Sequence, residues 1–150
     1  MIPTTGLAIS VLLALFVSQA EAAVTFKYIS ADDAARTVAT TKAGQKPDNI
    51  ADSPVFNLSL RMRNKPGKVE THSQWNDEII IQEGEVQLRY GGVSVNAKES
   101  APGETLGDSM TGGQSILMRP GDIVTIPAGM PHQMLIQTPV MRYILFKTKN

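Results

Sequence analysis

The sequence contains no cysteine among its 150 residues. Without thiols the protein has no disulfides, no cysteine nucleophile and no zinc site built on thiolates, so its stability must come from the burial of apolar side chains. An excess of one charge is also lacking, because 14 Lys and Arg balance 14 Asp and Glu and no charge run stands out. Polyanions are therefore not expected as partners, and we predict no binding to nucleic acid.

The longest apolar run lies at the N-terminus. Leu7–Val17 has the length of a signal-peptide core and is too short to span a bilayer. The following SQAEAA places Ala20 and Ala22 in the small-x-small pattern that signal peptidase accepts. We predict a signal peptide over residues 1–22, cleaved near Ala22, and a secreted or periplasmic mature protein with no stable membrane anchor. A membrane anchor or a buried helix is the alternative interpretation of this run.

Residues 23–54 predict a strand, a helix and a loop ahead of the main domain at residues 55–150. Val24–Ser30 alternates apolar and polar residues, as an edge strand does. Ser30 is suited to cap a helix that has acids in its first turn, and Gly44 would end that helix. The residues that follow Gly44 are typical of a loop.

From Val55 onward, short alternating runs separated by Gly and Pro predict an all-β barrel or a double-sheet sandwich. In the first run, VFNLSLRMR, we expect the polar face with Arg61 and Arg63 to meet solvent, whereas an arginine facing the barrel would hold a carboxylate substrate. Glu83-Gly84 predicts a tight hairpin between the runs on either side. The Gly-rich stretch from Asn96 to Gly113 is expected to form a mobile flap over the barrel mouth.

The most specific segment is PGDIVTIPAGMPHQM, Pro120–Met134. Its pattern is G-x5-P-x-G-x2-H, which resembles the second conserved motif of the cupin family. That family motif usually ends with Asn four residues after the histidine, whereas Ile136 stands here. The resemblance implies a cupin-type double-stranded β-helix, a jelly-roll barrel, with one short helix ahead of it.

The first cupin motif, G-x5-H-x-H-x3,4-E-x6-G, is matched in part. Counting back from Gly84, the acid position falls on Asp77. Four intervening residues earlier stands His72, and Glu70 lies two residues before it. In this alignment Glu70, His72 and Asp77 occupy the His, His and Glu positions of the family.

A second alignment places His72 on the first histidine, Gln74 on the second and Glu78 on the acid. It leaves the spacing to Gly84 one residue short. We favour the first alignment for the acid, because the turn fixes the phase of the strand and a slip of one residue would flip its face. Whether Glu70 or Gln74 completes the set stays open, since residues two apart in a strand share a face.

The resemblance implies a divalent-metal site in the barrel mouth, where His132 arrives from a different strand. The implied metal ligands are His72, Asp77 and His132, with Gln74 or Glu70 as the further donor. Two imidazoles with one or two carboxylates suit Mn, Fe, Ni, Zn or Cu, and the identity of the metal stays open. Where Glu70 is not a ligand, we expect it to act as a catalytic general base.

Because the family contains oxygenases, isomerases and lyases, the sequence predicts an exported cupin that binds a divalent metal and a small molecule, with catalysis left open. A metal-free small-molecule binding or storage module is the alternative. A third interpretation is a structural barrel that pairs through an edge strand such as Val55–Arg63, and we expect a homodimer. Trp75, the only tryptophan, is either a stacking wall for a ligand or a packing residue at the rim.

Overall fold

The structure, a computed structural model, describes Phe26, residues 28–42 and residues 48–150. The predicted signal peptide and the predicted helix stop at Gly44 lie outside these residues. The described elements are α1 (Ala31–Thr40), β1 (Asp48–Asp52), β2 (Phe56–Arg63), β3 (Val69–His72), β4 (Trp75–Glu83), β5 (Val86–Tyr90), β6 (Val93–Val95), β7 (Lys98–Ala101), β8 (Glu104–Gly107), β9 (Ser109–Thr111), β10 (Gln114–Met118), β11 (Ile123–Ile126), β12 (His132–Ile136) and β13 (Met141–Lys149). Within the described ranges, no helix has the length and apolar character needed to cross a membrane.

The strands form two antiparallel sheets that face each other. One sheet has the order β1-β2-β13-β4-β11, and the other has the order β10-β5-β12-β3-β8-β7. Strands β6 and β9 form a separate ribbon. Along the chain, β3, β4 and β5 alternate between the sheets, and β11, β12 and β13 do the same. This alternation is the connectivity of a jelly roll, and it confirms the predicted all-β fold.

The core lies between the sheets because the strands alternate with a period of two. In β4, Ile79 and Ile81 are buried, and in β5 Val86 and Leu88 face them from the other sheet. Full burial of such a side chain stabilises the fold by about 1.5–3 kcal/mol. The buried cluster consists of Ile79, Ile81, Val86, Leu88, Met118, Ile126, Met134, Met141, Tyr143 and Leu145.

The polar face of β2 points into the barrel, which is the reverse of the prediction. Ser59 is fully buried, and Arg61 and Arg63 line the interior cavity. On the opposite face, Phe56 packs against Phe146 of β13 with ring centroids 5.8 Å apart, and α1 lies near both strands. Alternation in the sequence reveals two faces, but it does not reveal which face is inside when elements outside the barrel cover the apolar one.

The start of the helix was predicted correctly, but the helix ends at Thr40, before the predicted stop at Gly44. Ser30 is the N-cap of α1, and its Oγ accepts a hydrogen bond of 3.1 Å from the backbone N–H of Asp33. Tyr28–Ser30, the described end of the predicted first strand, adopts no strand. The predicted loop before Val55 contains β1, which pairs with β2. Strand β2 therefore lies between β1 and β13 and is not an edge through which a dimer could pair.

Two predicted connections differ from the structure. Glu83-Gly84 turns the chain from one sheet to the other, so β4 and β5 do not form a hairpin. The stretch expected to be a flap contains β7, β8 and β9. Pro102-Gly103 is the turn between β7 and β8, and Gly103 has a φ of 77°. Both errors arose because a turn signal marks a reversal of the chain without stating which strands pair across it.

Gly84 provides a test of the packing at the turn between β4 and β5. Its φ is 82°, and a Cβ at this position would clash with the backbone carbonyl of Val140. Gly91 has a similar φ of 74°, but a Cβ there would meet no atom within 4 Å. We expect Gly91→Ala to lower the free energy of unfolding by roughly 1–2 kcal/mol through backbone strain alone. Gly84→Ala should lower it by about 1–3 kcal/mol more, because the carbonyl must move.

Urea titration of both variants measures this difference. Equal losses of stability in the two variants would show that the corner is not tightly packed.

Candidate metal centre

Two strands of the six-stranded sheet bring the histidines together. Strand β3 presents Glu70 and His72 on its inner face, and His132 at the start of β12 lies directly opposite Glu70. One ligand atom from each of the three residues lies within 4.8 Å of the others. The two imidazole rings have centroids 5.3 Å apart. Both histidines of the chain thus converge on one point of the barrel interior.

Asp77 approaches the same point from the opposite sheet. It occupies an inner position of β4, and its Oδ2 lies 3.3 Å from His72 Nε2 and 3.7 Å from His132 Nε2. The carboxylate and the two imidazoles are all buried. The four side chains therefore form a compact set of two imidazoles and two carboxylates at the mouth between the sheets.

The other ring nitrogens have partners of their own. His132 Nδ1 lies 3.0 Å from the backbone carbonyl of Met130, to which it donates. His72 Nδ1 donates to the Glu104 carboxylate, because Glu104 of β8 lies directly opposite His72 in the register. Such partners fix the proton on Nδ1 and leave the Nε2 lone pair directed at the centre. Glu104 therefore orients His72.

The donor set fits a divalent cation. Neither His72 Nε2 nor Asp77 Oδ1 makes a hydrogen bond, although both atoms are fully buried. A buried polar atom without a hydrogen bond is costly and needs an explanation, and a role in coordinating a cation is one such explanation. Two neutral imidazoles with carboxylates are ligands that suit Mn, Fe, Ni, Zn or Cu.

Cationic side chains surround this set. Lys147 of β13 lies opposite Asp77 of β4, and its Nζ is 3.4 Å from Asp77 Oδ1. Arg63 donates to Glu70 over 2.7 Å and to the Tyr143 hydroxyl over 3.2 Å. The cavity has a volume of about 220 Å³, and its walls consist of Arg61, Arg63, Glu70, His72, Asp77, Ile79, Glu104, His132, Met134, Tyr143, Leu145 and Lys147.

The structure brings together four of the five predicted site residues: Glu70, His72, Asp77 and His132. Gln74 is excluded, because β3 ends at His72 and Gln74 is exposed in the turn that follows. The alternation of side chains along a strand would have placed Gln74 on the same face as His72, but that alternation ends at the turn.

Other sequence-based alternatives also lie outside the cavity. Glu78 is on the other face of β4, with its Oε1 3.5 Å from the Thr148 hydroxyl. Trp75 begins β4 and does not line the cavity.

Two charged cavity residues, Lys147 and Glu104, were not predicted from the sequence. Lys147 had a signal, since it continues the inner positions Tyr143 and Leu145 of an alternating strand. The sequence indicated Glu104 only weakly. It follows the Pro102-Gly103 turn, and its pairing with His72 could be recognised only once the register of β3 and β8 was known.

Burial and charge shift the imidazole pKa values in opposite directions. Burial lowers the pKa of His72, but contact with the Asp77 carboxylate outweighs it and the pKa is raised. Burial lowers the pKa of His132, and the hydrogen bond to Met130 does not restore it. Burial also raises the pKa of Asp77, but contact with His72 and the charge of Lys147 hold it below its usual value. The metal-free centre should therefore protonate at His72 before His132.

Comparisons with known proteins support the fold. No protein-family model matches the sequence, and no curated protein is detectably similar to it. The structure resembles the cupin domain of Schizosaccharomyces pombe Cnp3, with a TM-score of 0.50 and 9% identity over 66% of this chain. This chain spans 59% of that structure.

Two further structures are similar at comparable identity. One is hydroquinone 1,2-dioxygenase from Sphingomonas sp. TTNP3 with 4-hydroxybenzoate bound, with a TM-score of 0.54 and 12% identity over 83% of this chain and 81% of that one. The other is KdgF from Halomonas sp., with a TM-score of 0.53 and 13% identity over 73% of this chain and 83% of that one. At these identities the likeness establishes the fold alone.

Nitrogen-detected NMR titration of the two imidazoles in metal-free protein tests the geometry. We expect the pKa of His72 above its ordinary value and that of His132 below it. Asp77→Asn should lower the pKa of His72, because the imidazolium loses the neighbouring negative charge. Glu78→Gln removes a carboxylate from the other face of the same strand and should leave both titrations in place. Identical effects of the two variants would contradict the placement of Asp77.

Proposed function

This chain has the cupin fold, and we propose that it holds a divalent metal ion at the barrel mouth and binds a small molecule beside it. The proposed ligands are His72, His132, Asp77 and Glu70. The observation that carries the proposal is the pair of buried atoms without hydrogen bonds, His72 Nε2 and Asp77 Oδ1, on two side chains that meet at the mouth, where Asp77 Oδ2 lies 3.3 Å from His72 Nε2.

The arrangement around the proposed ligands supports this function. Both imidazoles are held by their Nδ1 atoms, so neither must reorganise when Nε2 binds an ion. Glu70 is anchored through Oε1 by Arg63, while its Oε2 lies 3.8 Å from His72 Nε2. The mouth is thus preorganised from both sheets. The 4-hydroxybenzoate in the Sphingomonas dioxygenase is an instance of a small molecule bound by a protein of this fold.

The chemistry would divide between the ion and the chain. A bound divalent ion supplies Lewis acidity and open positions for a substrate oxygen. Asp77 and the two imidazoles hold that ion against loss to solvent, and Arg63 fixes the position of Glu70. Where Glu70 does not coordinate, its carboxylate is placed to accept a proton from a molecule in the cavity. The reaction would then belong to the oxygenase, isomerase or lyase classes.

A metal-free binding module is the second candidate, and one contact favours it. Lys147 and His72 already stand against the two oxygens of Asp77, at 3.4 and 3.3 Å. A buried carboxylate between two such groups can be stable without an ion. In that case the histidines would hydrogen-bond a ligand directly.

We further propose that residues 1–22 act as a signal peptide and that the mature protein is secreted or periplasmic. N-terminal sequencing of the processed protein checks this, with cleavage near Ala22 as the expected result. Homodimer formation likewise stays a prediction, for which β2 is no longer the candidate edge.

Metal analysis of the purified protein tests the proposed centre. We expect one equivalent of Mn, Fe, Ni, Zn or Cu in the wild type and none in His72→Ala or His132→Ala. Asp77→Asn should weaken binding by at least about tenfold, whereas Gln74→Ala and Glu78→Gln should bind as the wild type does. Affinity should fall as the pH drops through the pKa of His72, which lies above the ordinary imidazole value, because a protonated imidazole cannot coordinate.

A wild type that carries no metal and takes up none of the five ions would contradict the proposal. Loss of binding in Glu78→Gln but not in Asp77→Asn would show that the acid was assigned to the wrong face of β4.

Lys147→Gln separates the two candidate functions. If an ion binds beside Asp77, removal of the ammonium should raise metal affinity by about tenfold, as expected for a partly screened repulsion. If Lys147 instead takes the place of the ion, its loss leaves a buried carboxylate with less compensation, and stability should fall by about 3–5 kcal/mol with no gain of metal. Lys149→Gln, exposed on the same strand, is the matched control. Calorimetric metal titration and urea unfolding of each variant give both readouts.

A further inference from the structure

Arg61 is the cation of the cavity wall that contacts no carboxylate in the described part of the chain. We propose that it binds the carboxylate group of a small organic acid, and that such acids are the ligand class of this protein. The inference rests on the proposed function in one respect, since the acid would share the cavity with the metal ion.

The position of Arg61 is fixed by the sheet. It lies in β2 directly opposite Tyr143 of β13, on the inner face shared with Ser59. Arg61 Nε donates to Ser59 Oγ over 3.2 Å, and Ser59 is fully buried. This bond anchors the guanidinium at one nitrogen. Its remaining N–H groups make no hydrogen bond to any described residue, and they are not among the buried unpaired atoms.

The other charges of the cavity have partners. Arg63 is paired with Glu70 and Lys147 with Asp77, and both pairs join neighbouring structural elements. Glu104 is engaged by His72. Arg61 is thus the cation of the cavity wall without a carboxylate partner, although the three cations of the wall (Arg61, Arg63 and Lys147) are equal in number to its three carboxylates (Glu70, Asp77 and Glu104). A divalent ion would add two further positive charges, so the loaded cavity would favour an anion.

The shape and lining of the cavity favour an organic acid. The planar guanidinium fork matches the two oxygens of a carboxylate. Ile79, Met134 and Leu145 supply an apolar wall for a carbon skeleton, which inorganic phosphate lacks. The volume of about 220 Å³ is below the roughly 300–1,000 Å³ typical of pockets for drug-sized ligands, so the acid must be small.

The experiment compares acids with neutral molecules of the same shape. Butyrate and benzoate are titrated into the zinc-loaded and metal-free full-length protein, with butyramide, benzamide and inorganic phosphate as comparisons. The arginine Nε–H signals in proton–nitrogen spectra report binding, and elemental analysis reports zinc content. The variants are Arg61→Gln, Arg61→Lys and the control Arg119→Gln, whose side chain is exposed.

We expect at least one acid to shift the Arg61 signal and to bind at least tenfold more tightly than its amide, with phosphate weaker than that acid. Binding should be tighter with zinc present. Arg61→Gln should weaken it at least tenfold and Arg61→Lys less, because lysine keeps the charge but loses the fork. Arg119→Gln should bind like the wild type, and zinc content should be the same in all variants.

Amides that bind as well as acids, phosphate that binds more tightly than either acid, failure of both acids to bind, or unchanged affinity in Arg61→Gln would each overturn the inference. Failure to take up zinc or any of the other four ions, together with Arg61-dependent acid binding, would contradict the proposed metal function while supporting the acid site. Zinc binding without a preference for acids would support the proposed metal function and contradict the acid site. The two failures are therefore distinguishable.

Discussion

The buried carboxylate of Asp77 is the group on which the rest of the site depends. Its exposed fraction is 3%, and an ion removed from water to this degree costs several kcal/mol unless other charges compensate it. The compensation comes from the Lys147 ammonium and, when they are protonated, from the imidazoles of His72 and His132, which stand on β13, β3 and β12. These strands belong to both sheets, so the neutralisation of one carboxylate also ties the sheets together at the open end of the barrel.

Strand register is what gives each of these groups its partner. Lys147 lies opposite Asp77, Glu104 opposite His72, and His132 opposite Glu70. Side chains directly opposite on one face of an antiparallel pair are about 4.5–5.5 Å apart at Cβ, which suits ion pairs and hydrogen bonds. A slip of one residue would move every member to the other face. The register that builds the core therefore also builds the site, and neither can change alone.

Sequence patterns predicted the parts of the molecule that depend on short-range spacing. The turn, strand and turn that lead to His132 constrain one another within a few residues. Counting back from Gly84 also selected the buried Asp77, because β4 alternates regularly from Asp77 to Ile81, although its pairing with β13 shifts between Ile81 and Glu83. Gln74 was misplaced because a turn interrupts the alternation after His72. Glu104 could not be assigned at all, because it reaches His72 through a strand pair separated by 32 residues. Local spacing thus identified His72 but not its partner Glu104, because that pairing depends on which strands are neighbours in the sheet.

The two ends of the barrel have different physical tasks. The closed end is apolar, and Ile81 and Val86 are fully buried there and do not line the cavity. This apolar end stabilises the fold. The mouth contributes little stability, because it buries charges whose net contribution to the free energy of folding is small or unfavourable. The fold is shared with proteins only 9–13% identical to this chain, so the fold alone does not determine the charged side chains at the mouth. It follows that the fold does not select the reaction, and the ligand must be inferred from the charges that this mouth leaves unpaired.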